Sequence, residues 1–189
     1  MKTNVFVLAS VMLMTGSLIF AQKAEVNTKK SSVEWIGKKI GSQHEGYIQL
    51  KSGSFELKDD QIIAGNFVVD MTSISNTDLQ NENYNQKLLG HLKSDDFFSV
   101  EKYPTATFEI MQSSKFSKGK ATVSGDITIK GKTESISFEV VRAVKEYTAE
   151  IDIDRSKFDV RYGSNSFFDN LGDKAIDDIF TLNIRLVII

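Results

Sequence analysis

The chain contains no cysteine, and this absence excludes disulfides and thiolate metal sites. It has one proline and only two histidines, His44 and His91. Neither histidine has a second histidine or a carboxylate at metal-binding spacing, so we predict no metal and no cofactor. The net charge of -2 gives no electrostatic reason to expect nucleic acid as a partner.

Motifs for catalysis are also absent. The sequence has no Gly-x-Ser-x-Gly elbow and no glycine-rich phosphate loop. Asp95 and Asp96 are neighbours on what reads as an extended segment, so their side chains point to opposite faces and do not form an acid–base pair. We therefore predict that the protein is not an enzyme and has no catalytic residues.

The N-terminus has the pattern of a secretory signal peptide. A basic start at Lys2 precedes an apolar run from Val5 to Phe20, and Ala21 is a small residue suited to cleavage. We predict a signal peptide over residues 1–21 and one domain over 22–189, located in the periplasm or secreted. After cleavage no stable membrane span would remain, although an uncleaved anchor is the alternative.

Apolar and polar residues alternate along most of the chain, which predicts half-buried antiparallel strands. Closing such a sheet into a barrel, or folding it into a sandwich, protects its edges and covers its apolar face. About eight such segments are present: 32–36, 47–57, 62–71, 106–110, 121–129, 136–140, 149–153 and 180–188.

Two segments depart from this alternation. Between residues 81 and 93, Leu88, Leu89 and Leu92 recur at helical spacing, which predicts a short helix. A second, weaker helix is predicted at 167–175. An eight-stranded barrel has an interior that side chains fill or that holds one small ligand.

Several side chains are open to two interpretations. Inward aromatic residues on strands can form a solid core or a ligand wall. Arg155 can bind an anionic head group, or it can pair with Asp70, Asp152 or Asp154 at a strand end. His91 is expected to tie a helix end to a loop by hydrogen bonds, and His44 is expected to be exposed.

Four sequence blocks resemble the YceI-like family, and together they span essentially all of residues 22–189. The most specific is residues 91–98 (HLKSDDFF) followed by 103–108 (YPTATF). The others are 65–74 (GNFVVDMTSI), 125–133 (GDITIKGKT) and 153–158 (IDRSKF).

This resemblance implies an all-β fold, an eight-stranded antiparallel lipocalin-like barrel with a short helical insertion between strands. Members of the family bind a long isoprenoid or related amphiphilic chain in an interior tunnel, and many are periplasmic. If this sequence has the same tunnel, the resemblance implies that its lining and entrance consist of Trp35, Phe55, Phe67, His91, Phe97, Phe98, Phe108, Phe138, Arg155 and Phe180.

The favoured hypothesis is an extracytoplasmic protein that binds or transports a hydrophobic small molecule, an isoprenoid or other long-chain lipid. The alternative is a stress-response or interaction domain that has a filled barrel core. Monomer and homodimer both stay open at this point. An empty tunnel would favour the first hypothesis, and close packing would favour the second.

Overall fold

The computed structural model describes residues 21–189, so the predicted signal peptide lies outside the described residues except for Ala21. Nine strands and one helix form this part of the chain. The strands are β1 Gln22–Glu25, β2 Ser32–Lys39, β3 Ser42–Lys58, β4 Gln61–Asp70, β5 Thr105–Ser113, β6 Lys120–Ile129, β7 Lys132–Arg142, β8 Glu146–Asp154 and β9 Ile176–Val187. The helix α1 is Glu82–Lys93, and 3-10 turns lie at Met71–Ser73, Arg155–Phe158 and Gly172–Lys174.

Strands β2 to β9 close into an eight-stranded antiparallel barrel, which confirms the predicted fold class. Closure depends on β3, whose first half pairs with β2 and whose second half pairs with β4. The remaining neighbours follow the order β2, β9, β8, β7, β6, β5, β4. No edge of the sheet is therefore left along the closure between β3 and β4.

The short strand β1 is the element that the alternation pattern does not predict. It pairs with the last residues of β3, from Gln22 opposite Leu57 to Glu25 opposite Ser54. Val26 then forms a bridge with Ile188, beyond the end of β9. Thus β1 continues the line of β2 between β3 and β9, and it completes the wall at the end of the barrel distant from α1.

The predicted helix is present and begins where its cap residue allows. The side chain of Asn81 accepts a hydrogen bond from the backbone N–H of Tyr84 at 3.2 Å, a standard N-terminal cap. Leu92 is buried and faces the barrel, whereas Tyr84 is exposed. The helix and the loop that follows it cover one end of the barrel, which we call the helix end; the opposite end is the distal end.

The second predicted helix, at 167–175, is wrong. Only the 3-10 turn Gly172–Lys174 forms there. Asn170 and Gly172 have φ angles of 61° and 53°, in the left-handed region, and these angles interrupt any α-helix. The segment instead forms a loop that leads into β9 at Ile176.

Buried apolar residues form two clusters, one at each end of the barrel. The cluster at the helix end includes Leu92, Ile153 and Phe158. The cluster at the distal end includes Phe55 and Val123. Val69, Phe108, Phe138 and Ala149 are only partly buried and pack against both clusters, so the middle of the barrel is less densely occupied than its ends.

Two glycines provide a test of how tightly the outer wall packs. A Cβ placed on Gly46 would lie 1.9 Å from the carbonyl oxygen of Ser75, whereas one on Gly90 in α1 would meet nothing within 4 Å. We expect Gly46→Ala to lower the free energy of unfolding by about 1–3 kcal/mol because backbone must move. Gly90→Ala should raise it by about 0.5–1 kcal/mol, since alanine favours the helix. Denaturant unfolding measures both, and an unchanged Gly46→Ala stability would contradict the described packing.

Candidate ligand-binding site

One cavity of about 220 Å³ runs through the barrel between its two ends. Leu92 and Phe97 line it at the helix end, and Phe55 and Tyr147 line it at the distal end. The wall between them consists almost entirely of apolar side chains. Its polar members are Thr107, Thr148, Arg155 and Asp177.

The size and chemistry of this space distinguish it from a packing defect. A cavity of about 10–15 Å³, measured in the same way, is large enough for one water molecule. This cavity is more than ten times larger than that. A water needs two to four polar partners, and the apolar wall offers few. An apolar molecule would regain the dispersion contacts that the lining residues lack. The cavity is therefore suited to a hydrophobic ligand.

Nine of the ten residues predicted from the sequence line this cavity. The aromatic rings among them lie in the wall and do not fill the lumen. The centroids of Phe108 and Phe138 are 5.4 Å apart, and those of Phe98 and Phe180 are 6.4 Å apart. The nine are Trp35, Phe55, Phe67, Phe97, Phe98, Phe108, Phe138, Arg155 and Phe180.

His91 is the predicted residue that does not line the cavity. Its ring packs edge-on against Tyr162 at 4.2 Å and against Phe97 at 5.8 Å between centroids. Its Nε2 atom is buried and has no hydrogen-bond partner among the described residues. The expected hydrogen bond from its side chain to a loop is therefore not formed. His91 instead packs against Phe97 without lining the cavity itself.

Arg155 lines the cavity but has its hydrogen-bond donors directed elsewhere. The side chain is 2% exposed. Its Nε donates to the carbonyl of Asp177, and Nη2 donates to that of Ile176, both at 3.0 Å. Its Nη1 donates to the carbonyls of Val160 at 2.8 Å and Tyr162 at 2.9 Å.

These bonds decide between the two interpretations of Arg155. Four of its five N–H groups are used by backbone carbonyls, and Nη2 also lies 3.3 Å from Oδ1 of Asp178. The predicted partners Asp70, Asp152 and Asp154 are wrong, because the ion pair forms with Asp178. Arg155 ties the loop after β8 to the start of β9, and no complete set of donors faces the lumen.

Asp178 completes this network. Burial alone would raise the pKa of its carboxyl, but the nearby hydroxyls of Ser164 and Ser166 and the charge of Arg155 outweigh that effect. The pKa of Asp178 therefore lies below its usual value. Its Oδ2 accepts a hydrogen bond from Ser166 at 2.6 Å. Burial in turn lowers the pKa of the Arg155 guanidinium, although the nearby carboxylates oppose that shift.

His44 differs from its predicted state. Its side chain is half-buried, and Nδ1 lies 2.8 Å from Oδ2 of Asp78, so the expected solvent exposure is wrong. The pair lies outside the cavity lining. Over residues 21–189, no group of three or more His, Cys, Asp or Glu side chains is arranged to hold a metal ion. No helix in this range is long and apolar enough to cross a membrane.

The sequence reasoning named aromatic residues and missed the aliphatic majority of the wall. The same period-two alternation that predicts the strands marks those on the strands as inward-facing, so the signal was present for most of them. Additional lining residues include Val33, Ile48, Leu50, Ile62, Met71, Ile74, Ala106, Ile110, Ile127, Ile136, Ala149, Ile151, Leu182 and Ile184.

A family model, YceI-like domain, matches residues 25–188 of this chain. The chain belongs to the YceI-like family. Similar curated proteins are a UPF0312 protein of Vibrio parahaemolyticus and one of Vibrio campbellii, each 32% identical over 104 residues, or 51% of this chain and of that protein. The chain thus spans about half the length of the curated relatives it matches.

Solved structures share this YceI-like fold at low sequence identity. BcnA of Burkholderia cenocepacia is 24% identical, has a TM-score of 0.63, and is matched over 86% of this chain and 98% of that chain. A polyisoprenoid binding domain from Saccharophagus degradans, implicated in plant cell wall breakdown, is 14% identical, with a TM-score of 0.58 and coverage of 87% and 97%. These likenesses establish the common fold.

The Arg155–Asp178 pair in this YceI-like domain leads to a pH prediction. Because the pKa of Asp178 is depressed, its contribution to stability is complete above its ordinary pKa of about 3.9 and is lost as the pH falls through its folded value. We expect Asp178→Asn to lower the free energy of unfolding by about 1–3 kcal/mol at neutral pH, with the difference from wild type shrinking toward pH 3.

Denaturant unfolding at a series of pH values measures this difference. Asp96→Asn is the control, since that side chain is exposed, and it should stay within about 0.5 kcal/mol of wild type. A difference for Asp178→Asn that is constant down to pH 3 would contradict the assignment.

Proposed function

We propose that this protein is an extracytoplasmic carrier that binds a long, slender hydrophobic molecule, an isoprenoid or other long-chain lipid, inside the barrel. The apolar cavity that reaches both ends of the lumen is the observation that carries this proposal. A solved protein of the same fold is described as a polyisoprenoid binding domain, which supports the same ligand class. We further propose that the protein acts by binding alone, without catalysis.

The cavity wall favours a ligand without a negatively charged head group. Arg155 is the one cation among the lining residues, and its donors are used by carbonyls and Asp178. An anionic group placed beside it would have to displace those bonds, and its burial without partners is costly. A neutral head group avoids this cost. The earlier hypothesis that Arg155 binds a phosphate or carboxylate is not favoured by this geometry.

Affinity arithmetic favours a long chain over a short one. Burying about ten CH₂ groups gives roughly 8 kcal/mol, and that free energy corresponds to a Kd of about 1 μM. Ordering the chain and losing its free motion subtract several kcal/mol from this gross value. A ligand held only by apolar contact therefore needs more than about ten buried carbons to bind at micromolar concentration.

The alternative hypothesis, an interaction domain with a filled core, requires a barrel interior closed by its own side chains. The residues midway along the lumen are only partly buried, and the cavity passes between them. This arrangement favours the carrier over the filled-core domain.

Ligand retention and ligand exclusion together test the carrier proposal. Native mass spectrometry of protein purified gently from its own host should show a bound lipid. Retinol, a fluorescent isoprenoid alcohol, should bind the emptied protein, and Ala149→Phe should weaken that binding by about tenfold or more because Ala149 lines the lumen. Glu150→Phe is the matched control, since Glu150 faces outward on the same strand.

Two results would overturn the proposal. One is a consistently empty wild-type protein that also fails to bind retinol. The other is an Ala149→Phe protein that is destabilised by about 1–3 kcal/mol, as overpacking of a filled core would cause.

We also propose that the first 21 residues are a signal peptide removed after Ala21. The fold supports this position because β1 begins at Gln22 and would be left whole by cleavage there. Protein recovered from the extracytoplasmic fraction of its host should have Gln22 as its first residue by intact-mass measurement. Recovery of the full-length chain in the membrane fraction would favour the uncleaved anchor instead.

A further inference from the structure

The barrel wall has one weak junction, between β7 and β8. These strands pair at only two positions, Val141 opposite Thr148 and Arg142 opposite Tyr147, both next to their connecting turn. On the other side of β7, ten residue pairs join it to β6. On the other side of β8, nine pairs join it to β9. The two strands therefore separate along most of their length, and we call this stretch the seam: residues 132–140 of β7 and 149–154 of β8.

Side chains do not replace the missing backbone pairs. Among the described residues, no hydrogen bond or ion pair joins the two sides of the seam; Glu139 pairs instead with Lys120, and Asp152 with Thr181. Extending the observed register would place Glu139 opposite Glu150 on the outer face. Like charges at opposed positions do not stabilise strand pairing, so this register offers no favourable charge pair across the seam.

Residues that line the lumen and residues that line the outer surface meet at this seam. Ile136 and Phe138 point into the cavity from β7, and they are only half-buried, whereas Val123 and Ile127 on the neighbouring β6 are buried. A groove on the outside of the barrel is lined by Glu139, Val141, Thr148, Ala149 and Glu150, with further residues of β2, β3 and β9. The cavity and this outer groove share Thr148, Ala149 and Ile184 as lining residues.

Both ends of the barrel resist passage of a ligand. At the helix end, Leu92 and Phe97 are buried, and the Arg155 network fixes the rim. At the distal end, Tyr147 meets Phe55 edge-on at 4.8 Å. Arg142 lies over Phe116 there, 4.1 Å from the ring centroid, and pairs with Asp60 at 3.0 Å. Opening either end would break these contacts, whereas widening the seam breaks no ladder hydrogen bond.

We propose that the seam between β7 and β8 is the lateral portal through which the hydrophobic ligand enters and leaves the lumen. This inference rests on the proposed carrier function. Strands β7 and β8 would move apart with their paired hairpin end acting as the hinge. The hydrocarbon chain of the ligand would then pass sideways between Phe138 and Ala149. The acidic outer positions Glu139 and Glu150 would repel an anionic head group at this opening, in keeping with a neutral ligand.

The protein has no cysteine, so a thiol-specific cross-linker reacts only with cysteines that are introduced. A reversible cross-link can therefore test this portal. The seam variant carries Ser137→Cys and Asp152→Cys, which stand opposite each other if the register is extended. A bis-methanethiosulfonate reagent joins them, and a reductant releases them. The matched control carries Ser124→Cys and Ser137→Cys, which pair across the intact β6–β7 ladder with their native hydroxyls 3.0 Å apart. All three side chains point away from the cavity.

Retinol is the probe, and its uptake and release are followed by stopped-flow fluorescence. Cross-linking the seam should slow both rates by at least about tenfold, as expected when a gating motion is blocked, and should leave Kd unchanged. Reduction should restore the rates in the same sample. The cross-linked control should exchange retinol as fast as its reduced form.

The possible failures are distinguishable. If the cross-linked seam variant binds retinol and exchanges it at the rate of the control, the ligand passes through a barrel end, and the portal is overturned while the carrier function stands. If the wild-type protein binds no retinol before any cross-linking and is also recovered empty from its host, the carrier function fails, and the portal fails with it.

Discussion

The length of β3 is the constraint on which the rest of the structure depends. Its 17 residues serve two partners in succession, β2 along the first half and β4 along the second. A strand that pairs in this way must bend, and its register with β4 shifts between Leu50 and Ser52 and again between Glu56 and Leu57. Such irregularities increase the local twist and curvature of a strand. The sheet therefore closes on itself instead of remaining open.

Closure creates an interior that the side chains of this sequence do not fill evenly. Each strand must present one apolar face to the lumen. Large side chains such as Phe55 and Phe158 are almost completely buried near the ends. Phe108 and Phe138 stand midway and stay half-buried, with the cavity between them. The molecule thus leaves apolar surface without contacts, and a hydrophobic ligand would supply them.

The sequence predicted those features that depend on local pattern and failed where distant segments decide the outcome. Alternation located every barrel strand and, through the same period, the inward face that lines the cavity. By contrast, Gln22–Glu25 has no strong alternation, and β1 forms because β3 and the end of β9 offer it partners. Helical spacing predicted α1 correctly. The weaker pattern at 167–175 did not give a helix, because Asn170 and Gly172 adopt left-handed backbone angles.

The candidate site shows the same division. A strand-end arginine was recognisable from its neighbours, but the carbonyls that use its donors come from residues 160–162 and 176–177, which only the fold brings together. The separation of β7 from β8 was equally invisible, because both strands alternate as well as their paired neighbours do. Periodicity reports which face of a strand is buried and says nothing about whether its edge is bonded.

The Arg155 network and the seam have opposite mechanical effects on one barrel. Arg155 joins the loop after β8 to the start of β9, so the helix end of β8 is held firmly to β9. The same strand is free of β7 from Ala149 onward. Among the strand boundaries of the barrel, the one between β7 and the β8–β9 pair therefore has the fewest ladder pairs to resist a separation. A carrier that must retain an oily chain and still exchange it needs such a combination, because a uniformly rigid barrel would trap its ligand and a uniformly soft one would collapse its lumen.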